Sequence, residues 1–107
     1  MNFDLLREAN VSRQKEWPGN EKADIPFRMI EVSGESGELA EAVKKWLRSE
    51  RGIHGNGGDT SQIADEMADV IIAVDLLAEM FDINLDKAVR NKFNKTSTKY
   101  GLTTMFW

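Results

Sequence analysis

Apolar residues recur every three or four positions along nearly the whole chain, and no run of β-branched residues alternates cleanly with polar ones. This spacing is typical of amphipathic helices and not of strands. It predicts four helices, covering roughly residues 3–16, 24–51, 61–81 and 85–100. The pattern therefore predicts an all-α fold, a four-helix bundle.

Local signals set the predicted helix boundaries. Pro18 and Gly19 should end the first helix, and Asp24 is a suitable N-cap for the second, which takes Pro26 in its first turn. The segment GIHGNGG at 52–58 is too rich in glycine to stay helical, so it should be a connecting loop. Gly101 can take the left-handed conformation that ends the fourth helix.

Two helices have apolar faces that need a partner. The inward stripe of the second helix should contain Phe27, Ile30, Val43, Trp46 and Leu47. The second half of the third helix, VIIAVDLLAEMF, is apolar on almost every side, which is typical of a helix buried all round. Four short helices can cover only part of this surface, and apolar area left in water forgoes about 25 cal/mol per Å2. We therefore expect a homodimer or a homotetramer.

Length and charge narrow the function. At 107 residues, the chain is expected to form a single domain over 1–107. Its formal net charge of −4 argues against broad attraction to a nucleic acid polymer. An anionic small molecule could still bind, if clustered lysines or a metal ion reversed the local field.

Cysteine usage and hydropathy indicate the compartment. The chain has no cysteine, which excludes disulfides, thiolate metal sites and a cysteine nucleophile. The longest apolar stretch, 67–81, is interrupted by acidic residues and is shorter than the ~20 residues that span a bilayer. We expect a cytoplasmic protein without a membrane segment.

Two pairs of acids share helix faces. Glu35 and Glu38 lie three residues apart on the second predicted helix, and Glu66 and Asp69 repeat the spacing on the third. Bringing these like charges together would be costly unless a cation compensates, and magnesium prefers carboxylate oxygens. The alternative is a solvated helix face, which for Glu41 is an equally good interpretation.

Gly34 and Gly37 bracket Glu35. A glycine inside a helix lowers helix stability by ~1 kcal/mol relative to alanine, so its presence generally has a structural or functional reason. Tight helix packing is one explanation, and room for a metal and a phosphate chain is another. The two are compatible.

The segments GESGELAEAVKKW and ADEMADVIIAVDLLAEMFDINLDKAVRNKFNKTSTKYG resemble the all-α nucleoside triphosphate pyrophosphatases of the MazG type over about three-quarters of the chain. The family motif pairs two glutamates three apart with an ExxD on the next helix. Some members have a further glutamate where this chain has Gly34, so the sequence is more similar to the small dCTP pyrophosphatase and single-domain MazG-like branch.

The resemblance implies a chemistry. Magnesium, with manganese as an alternative ion, would be bound by Glu35, Glu38, Glu66 and Asp69. Water would cleave a nucleoside triphosphate, with deoxynucleotides such as dCTP as the expected substrates, between its α and β phosphates. Glu35 and Glu38 are the first candidates for the catalytic base.

Substrate contacts are expected elsewhere. In this family the stretch equivalent to RNKFNKTSTKYG contributes to triphosphate binding, which suggests Lys92 and Lys99 with Tyr100 nearby. Trp17 and Trp46 could stack on a nucleobase. Core packing is an equally good interpretation of Trp46.

The remaining acid and the lone histidine are not expected to belong to the metal site. Asp75, within the apolar third helix, should belong to a buried hydrogen-bonded pair. The lone His54 lies in the glycine-rich loop, and the ExxH pairs of a di-iron bundle are missing. Two alternative functions remain open: an enzyme like phosphoribosyl-ATP pyrophosphohydrolase, and a non-catalytic helical dimer that acts as a binding module.

Overall fold

The computed structural model describes residues 2–107. Helix α1 spans Phe3–Glu16, α2 spans Ile25–Arg51, α3 spans Thr60–Met80 and α4 spans Leu85–Lys99, with a single 3-10 turn at Asn20–Lys22. These residues contain no strand. The predicted all-α fold with four helices is confirmed, and every predicted boundary agrees with the structure to within one residue. None of the helices in this range is long and apolar enough to cross a membrane.

Side-chain caps explain where the helices begin. Asp24 Oδ1 accepts a hydrogen bond from Phe27 N at 3.0 Å, and Asn84 Oδ1 accepts one from Lys87 N at 3.1 Å. Each bond satisfies an amide that has no partner inside its helix. After α4, Gly101 has a φ of 67°, the left-handed conformation expected there.

The four helices do not close around a common centre. Helix α3 packs most extensively against α2 and less against α1, and α4 contacts α1. The radius of gyration is 17.1 Å, and the principal extents are 48 × 45 × 23 Å. A compact chain of this length would have a radius of gyration of about 13 Å. The single chain is therefore open, and its bundle is incomplete.

Few apolar side chains are buried. The buried apolar residues are Ala42, Ala73, Leu76 and Ala78. On α2, Phe27 and Ile30 are 50% and 69% exposed, so the predicted inward stripe is wrong for these two residues within one chain. Helical periodicity identifies the apolar face of a helix, but it does not say whether the same chain covers that face.

The predicted burial of the second half of α3 on all sides is also wrong within one chain. Ile71 and Met80 are 40% and 36% exposed, whereas Ala73 and Leu76 are buried. The reason is geometric, since α2 and α1 contact only part of the circumference of α3. The remaining apolar surface is open to solvent.

Asp75 lies in a buried polar network, as expected. Its carboxylate is fully buried and accepts hydrogen bonds from Arg7 Nε at 3.1 and 3.2 Å and from Asn10 Nδ2 at 2.9 Å. Arg7 also donates to the carbonyl oxygen of Ile83 at 2.7 Å, in the turn between α3 and α4. This network fixes α1 against α3 and the following turn.

We predict that Arg7→Met lowers the free energy of unfolding by about 3 kcal/mol, because it leaves a buried carboxylate without its countercharge. Denaturant unfolding at fixed protein concentration measures the change. The matched control is Lys44→Met, which removes an exposed ion pair with Glu41 and should change stability by about 0.5 kcal/mol or less. Equal effects of the two substitutions would contradict a structural role for the buried pair.

Candidate active site

The packing of α2 against α3 brings the two acidic pairs together. Glu35 and Glu38 from α2 and Glu66 and Asp69 from α3 each offer a carboxylate oxygen, and these four oxygens all lie within 4.8 Å of one another. Glu35 and Glu66 are half-buried, whereas Glu38 and Asp69 are exposed. The cluster is therefore sealed on the helix side and open on the solvent side.

The electrostatics of the cluster are unfavourable in the bare protein. The pKa of Glu35 is raised above its usual value, first by loss of hydration and then by the negative charges of the neighbouring carboxylates, Glu38 foremost. Loss of hydration also raises the pKa of Glu66, and the charges of Glu38 and Asp69 add to it. The cluster holds more negative charge than its surroundings stabilise.

Two atoms of the cluster lack any partner. Glu35 Oε2 and Glu66 Oε2 are buried and accept no hydrogen bond in the described part of the chain. A buried carboxylate oxygen without a partner costs free energy, so such atoms are rare in folded proteins. One oxygen comes from each helix, and both belong to the same four-carboxylate group. This arrangement fits a hard divalent cation, for which oxygen atoms are the preferred ligands.

The glycines beside Glu35 have open space in front of them. A Cβ atom built on Gly34 or Gly37 would meet nothing within 4 Å. Tight packing inside this chain therefore does not explain either glycine. What remains is room for something outside the chain, such as a ligand or a second copy.

A cavity of about 530 Å3 adjoins the carboxylates. It lies between α1, the 3-10 turn, α2 and α3, and both Glu35 and Asp69 line it. This volume is within the usual range for a small-molecule site. The cavity connects the acidic cluster to a region where a nucleoside could lie.

The predicted stacking residues differ in position. Trp17 lines the cavity and is 59% exposed. Trp46, farther along α2, is half-buried and does not line it. Of these two predicted stacking residues, only Trp17 is placed in one chain to contact a molecule held in this cavity.

The predicted basic residues lie apart from the cavity. Lys92, Lys99 and Tyr100 are exposed on or just after α4, and none of them lines it. The ammonium group of Lys99 lies 5.4 Å from the centre of the Tyr100 ring. A single chain therefore does not bring these three residues to the acids.

The sequence analysis missed a buried arginine in the cavity wall. Arg28 is 6% exposed, and its guanidinium contacts Gln14, Asn20 and Glu31, all of which also line the cavity. The pair with Glu31 is a local contact three residues along α2, but the contacts with Gln14 and Asn20 reach α1 and the 3-10 turn, which no local spacing in the sequence could reveal. The only available signal was an arginine in the first turn of a helix that starts near the predicted stacking residue.

Comparison with known families agrees with this geometry. The MazG nucleotide pyrophosphohydrolase domain matches residues 28–101. The chain belongs to this family. The match includes all four clustered carboxylates and α4, whereas α1 and Trp17 lie before it. No curated protein matches the chain.

Membership in the MazG family fixes the general class of activity. Its members are nucleoside triphosphate pyrophosphohydrolases, which are metal-dependent hydrolases. The acidic cluster is a group of residues in this chain that could hold such a metal. The substrates of the family are nucleotides.

We predict that millimolar magnesium raises the melting temperature at neutral pH and raises it less as the pH falls toward 4.5, the ordinary value for a glutamate. Because the folded-state pKa values of Glu35 and Glu66 are raised, the charge repulsion is present above those values and is relieved as the carboxylates take up protons. Protons then compete with the metal. Thermal melts with and without magnesium across this pH range measure the effect.

Two variants test the site. Glu66→Gln removes one charge of the cluster, and the matched control, Glu50→Gln, alters an exposed acid at the far end of α2. Glu66→Gln should raise the melting temperature without metal and reduce the gain from magnesium. Glu50→Gln should behave like the unaltered protein. A magnesium effect that is the same in all three proteins would contradict the site.

Proposed function

We propose that this protein is a magnesium-dependent hydrolase that converts a nucleoside triphosphate, such as dCTP, to the monophosphate and pyrophosphate. The observation that carries the proposal is the four-carboxylate cluster, with one buried unpartnered oxygen on each helix, beside a cavity of nucleoside size. Membership in the MazG family supports the reaction class. Deoxynucleotides and magnesium are our more specific assignments.

Glu35, Glu38, Glu66 and Asp69 would hold the metal. When bound, a divalent cation neutralises charge that develops on the leaving pyrophosphate and makes a nearby water more acidic. Binding also compensates the repulsion among the carboxylates. Held by these carboxylates, the cation would lie at the end of the cavity that Glu35 and Asp69 line, where it could bind the phosphates.

Glu35 and Glu38 are the candidates for the general base. A base must reach the proton that it removes, and its pKa should lie close enough to the working pH to favour the transfer. Burial and neighbouring negative charge raise the pKa of Glu35 in the bare protein, which makes its carboxylate more basic than an ordinary glutamate. Its location on the cavity wall allows it to accept a proton from a water beside the substrate.

Trp17 is the proposed contact for the nucleobase. It lies in the cavity wall, and more than half of its surface is exposed. Stacking of an aromatic side chain on a base contributes roughly 1–3 kcal/mol. Because any base has a suitable face, this contact gives affinity and leaves the choice of base to other residues.

We propose that the protein works as a homodimer or homotetramer of one domain over 1–107. The open shape of the single chain and its exposed apolar side chains, among them Phe27, Ile30 and Met67, support this assembly. A second copy on this surface would bury apolar area that one chain leaves in water. It could also bring Lys92, Lys99 and Tyr100 to the acids of its partner, where the triphosphate needs positive charge.

We predict that Glu38→Gln and Asp69→Asn each lower pyrophosphate release from a panel of nucleoside triphosphates by at least about 100-fold. Replacing a residue that only hydrogen-bonds to a metal ligand already lowers metal affinity or activity about 10- to 100-fold, and these substitutions remove the proposed ligands themselves. Pyrophosphate release with magnesium measures the effect, and circular dichroism should show unchanged helical content. Including phosphoribosyl-ATP in the panel separates the related pyrophosphohydrolase activity.

The matched control is Glu41→Gln, which alters an exposed acid on the same helix that is paired with Lys44. Its effect on turnover should be mild. Near-normal activity of either ligand variant would show that the ligand assignment is wrong, and no release from any triphosphate would remove the enzymatic proposal.

We predict that Ile30→Glu lowers the oligomeric state and the activity together, because it places a charge on an apolar side chain that is 69% exposed in the single chain. Light scattering at micromolar concentration measures the mass, and pyrophosphate release measures the activity. The comparison is Glu21→Gln, an exposed change in the 3-10 turn, which should leave the mass unaltered. A fully active monomer would contradict both the assembly and the shared site.

A further inference from the structure

The cavity contains a polar group that the proposed chemistry does not use. Arg28 donates from Nη1 to Glu31 Oε1 at 2.8 Å, and from Nη2 to Gln14 Oε1 at 3.0 Å and to Asn20 Oδ1 at 2.6 Å. Its side chain is 7% exposed. A guanidinium held by three acceptors from three elements is fixed in position, and so are its partners.

Arg28 determines which end of each amide faces it. A guanidinium has donors only, so Gln14 and Asn20 must both turn their carbonyl oxygens toward it. Their NH2 groups are consequently turned away from the arginine. Within residues 2–107, neither amide nitrogen donates a hydrogen bond to a protein group. Two adjacent side chains of the wall thus have donors to spare and carbonyl oxygens already engaged.

These donors lie where a base is expected. Gln14 and Asn20 line the same cavity as Trp17, Glu35 and Asp69. They also border a smaller cavity of about 210 Å3, but that one has neither an aromatic side chain nor a clustered carboxylate in its wall. A nucleotide with its phosphates at the carboxylates and its base near Trp17 would place an edge of the base beside the two amides.

We propose that Gln14 and Asn20, oriented by Arg28, select nucleotides whose base carries a ring carbonyl oxygen and disfavour adenine. This inference rests on the proposed function and specifies its substrate. Guanine and thymine offer carbonyl oxygens as acceptors, and cytosine offers its O2, whereas adenine has no carbonyl oxygen and presents an amino donor beside its ring nitrogen. Two NH2 groups facing the adenine amino group would leave donors unpaired on both sides, which is unfavourable in a partly buried site. Arg28 is a positioning residue in this scheme.

The test compares two substrates that differ at one ring position. Hypoxanthine has a carbonyl oxygen where adenine has its amino group, so dITP and dATP form a matched pair. The unaltered protein should have a kcat/KM for dITP at least about tenfold above that for dATP, the discrimination expected of one well-placed base contact. Binding of dIMP and dAMP without metal, measured by calorimetry, should show the same preference.

The variants replace donors and keep the oxygen that Arg28 needs. Gln14→Glu and Asn20→Asp each substitute an acceptor for the NH2 group, and each should reduce the dITP-to-dATP ratio about tenfold. Arg28→Lys should reduce it as well, because the flexible ammonium lacks the rigid planar fork that fixes both carbonyls in one orientation. Gln62→Glu on α3, outside the cavity, is the matched control and should leave the ratio unchanged. Circular dichroism establishes that each variant is folded.

The outcomes separate this inference from the proposed function. Cleavage of all triphosphates with equal dITP and dATP values would overturn the inference and leave the function intact. If the amide variants bind both nucleotides and inorganic pyrophosphate more weakly by the same factor, the amides contact the phosphates and not the base. That result would also overturn the inference. If no triphosphate is cleaved, the proposed function fails, and the dIMP-to-dAMP binding ratio still decides the base preference. If Arg28→Lys does not fold, the two amide variants decide the question.

Discussion

The repulsion among four carboxylates at the contact of α2 with α3 is the constraint on which the rest of the structure depends. The helices hold the carboxylate oxygens within 4.8 Å of one another, and burial leaves Glu35 Oε2 and Glu66 Oε2 without partners. Such an arrangement opposes folding of the bare chain, so the surrounding contacts must be strong enough to maintain it. Alanines buried on both helices, Ala42 and Ala73, help these helices to pack closely.

Two buried arginine networks fix α1 in relation to this cluster. Arg7 binds the fully buried carboxylate of Asp75 and joins α1 to α3, while its own side chain stays 22% exposed. Arg28 instead binds the amide oxygens of Gln14 and Asn20, and thereby holds the end of α1 and the 3-10 turn beside α2. The first network gives rigidity. The second shapes the wall of the cavity and leaves hydrogen-bond donors available to a ligand.

The open shape of the chain has a consequence for its site. With a radius of gyration of 17.1 Å, one chain leaves apolar side chains of α2 and α3 in water and keeps the basic residues of α4 away from the cavity. A triphosphate beside four carboxylates needs positive charge from the metal and from lysines. In the proposed assembly, one contact between copies would both cover the exposed apolar side chains and bring the lysines of α4 to the partner's carboxylates.

The sequence by itself determined the elements of the fold and the residues of the acidic cluster. Helical spacing, the cap at Asp24 and the left-handed glycine after α4 are local signals, because each depends on residues within a turn or two of one another. The three-residue spacing of Glu35 with Glu38, and of Glu66 with Asp69, likewise fixes which carboxylates share a face.

Only the tertiary structure decided which apolar faces one chain covers and what the acids have for neighbours. Phe27 and Ile30 were expected to point inward and are exposed, since their burial depends on a partner surface that periodicity does not reveal. The Arg28 network joins residues of three elements through side-chain hydrogen bonds, and no pattern along the chain encodes that meeting. Contacts between distant residues follow from how helices pack, and that packing is a property of the whole chain.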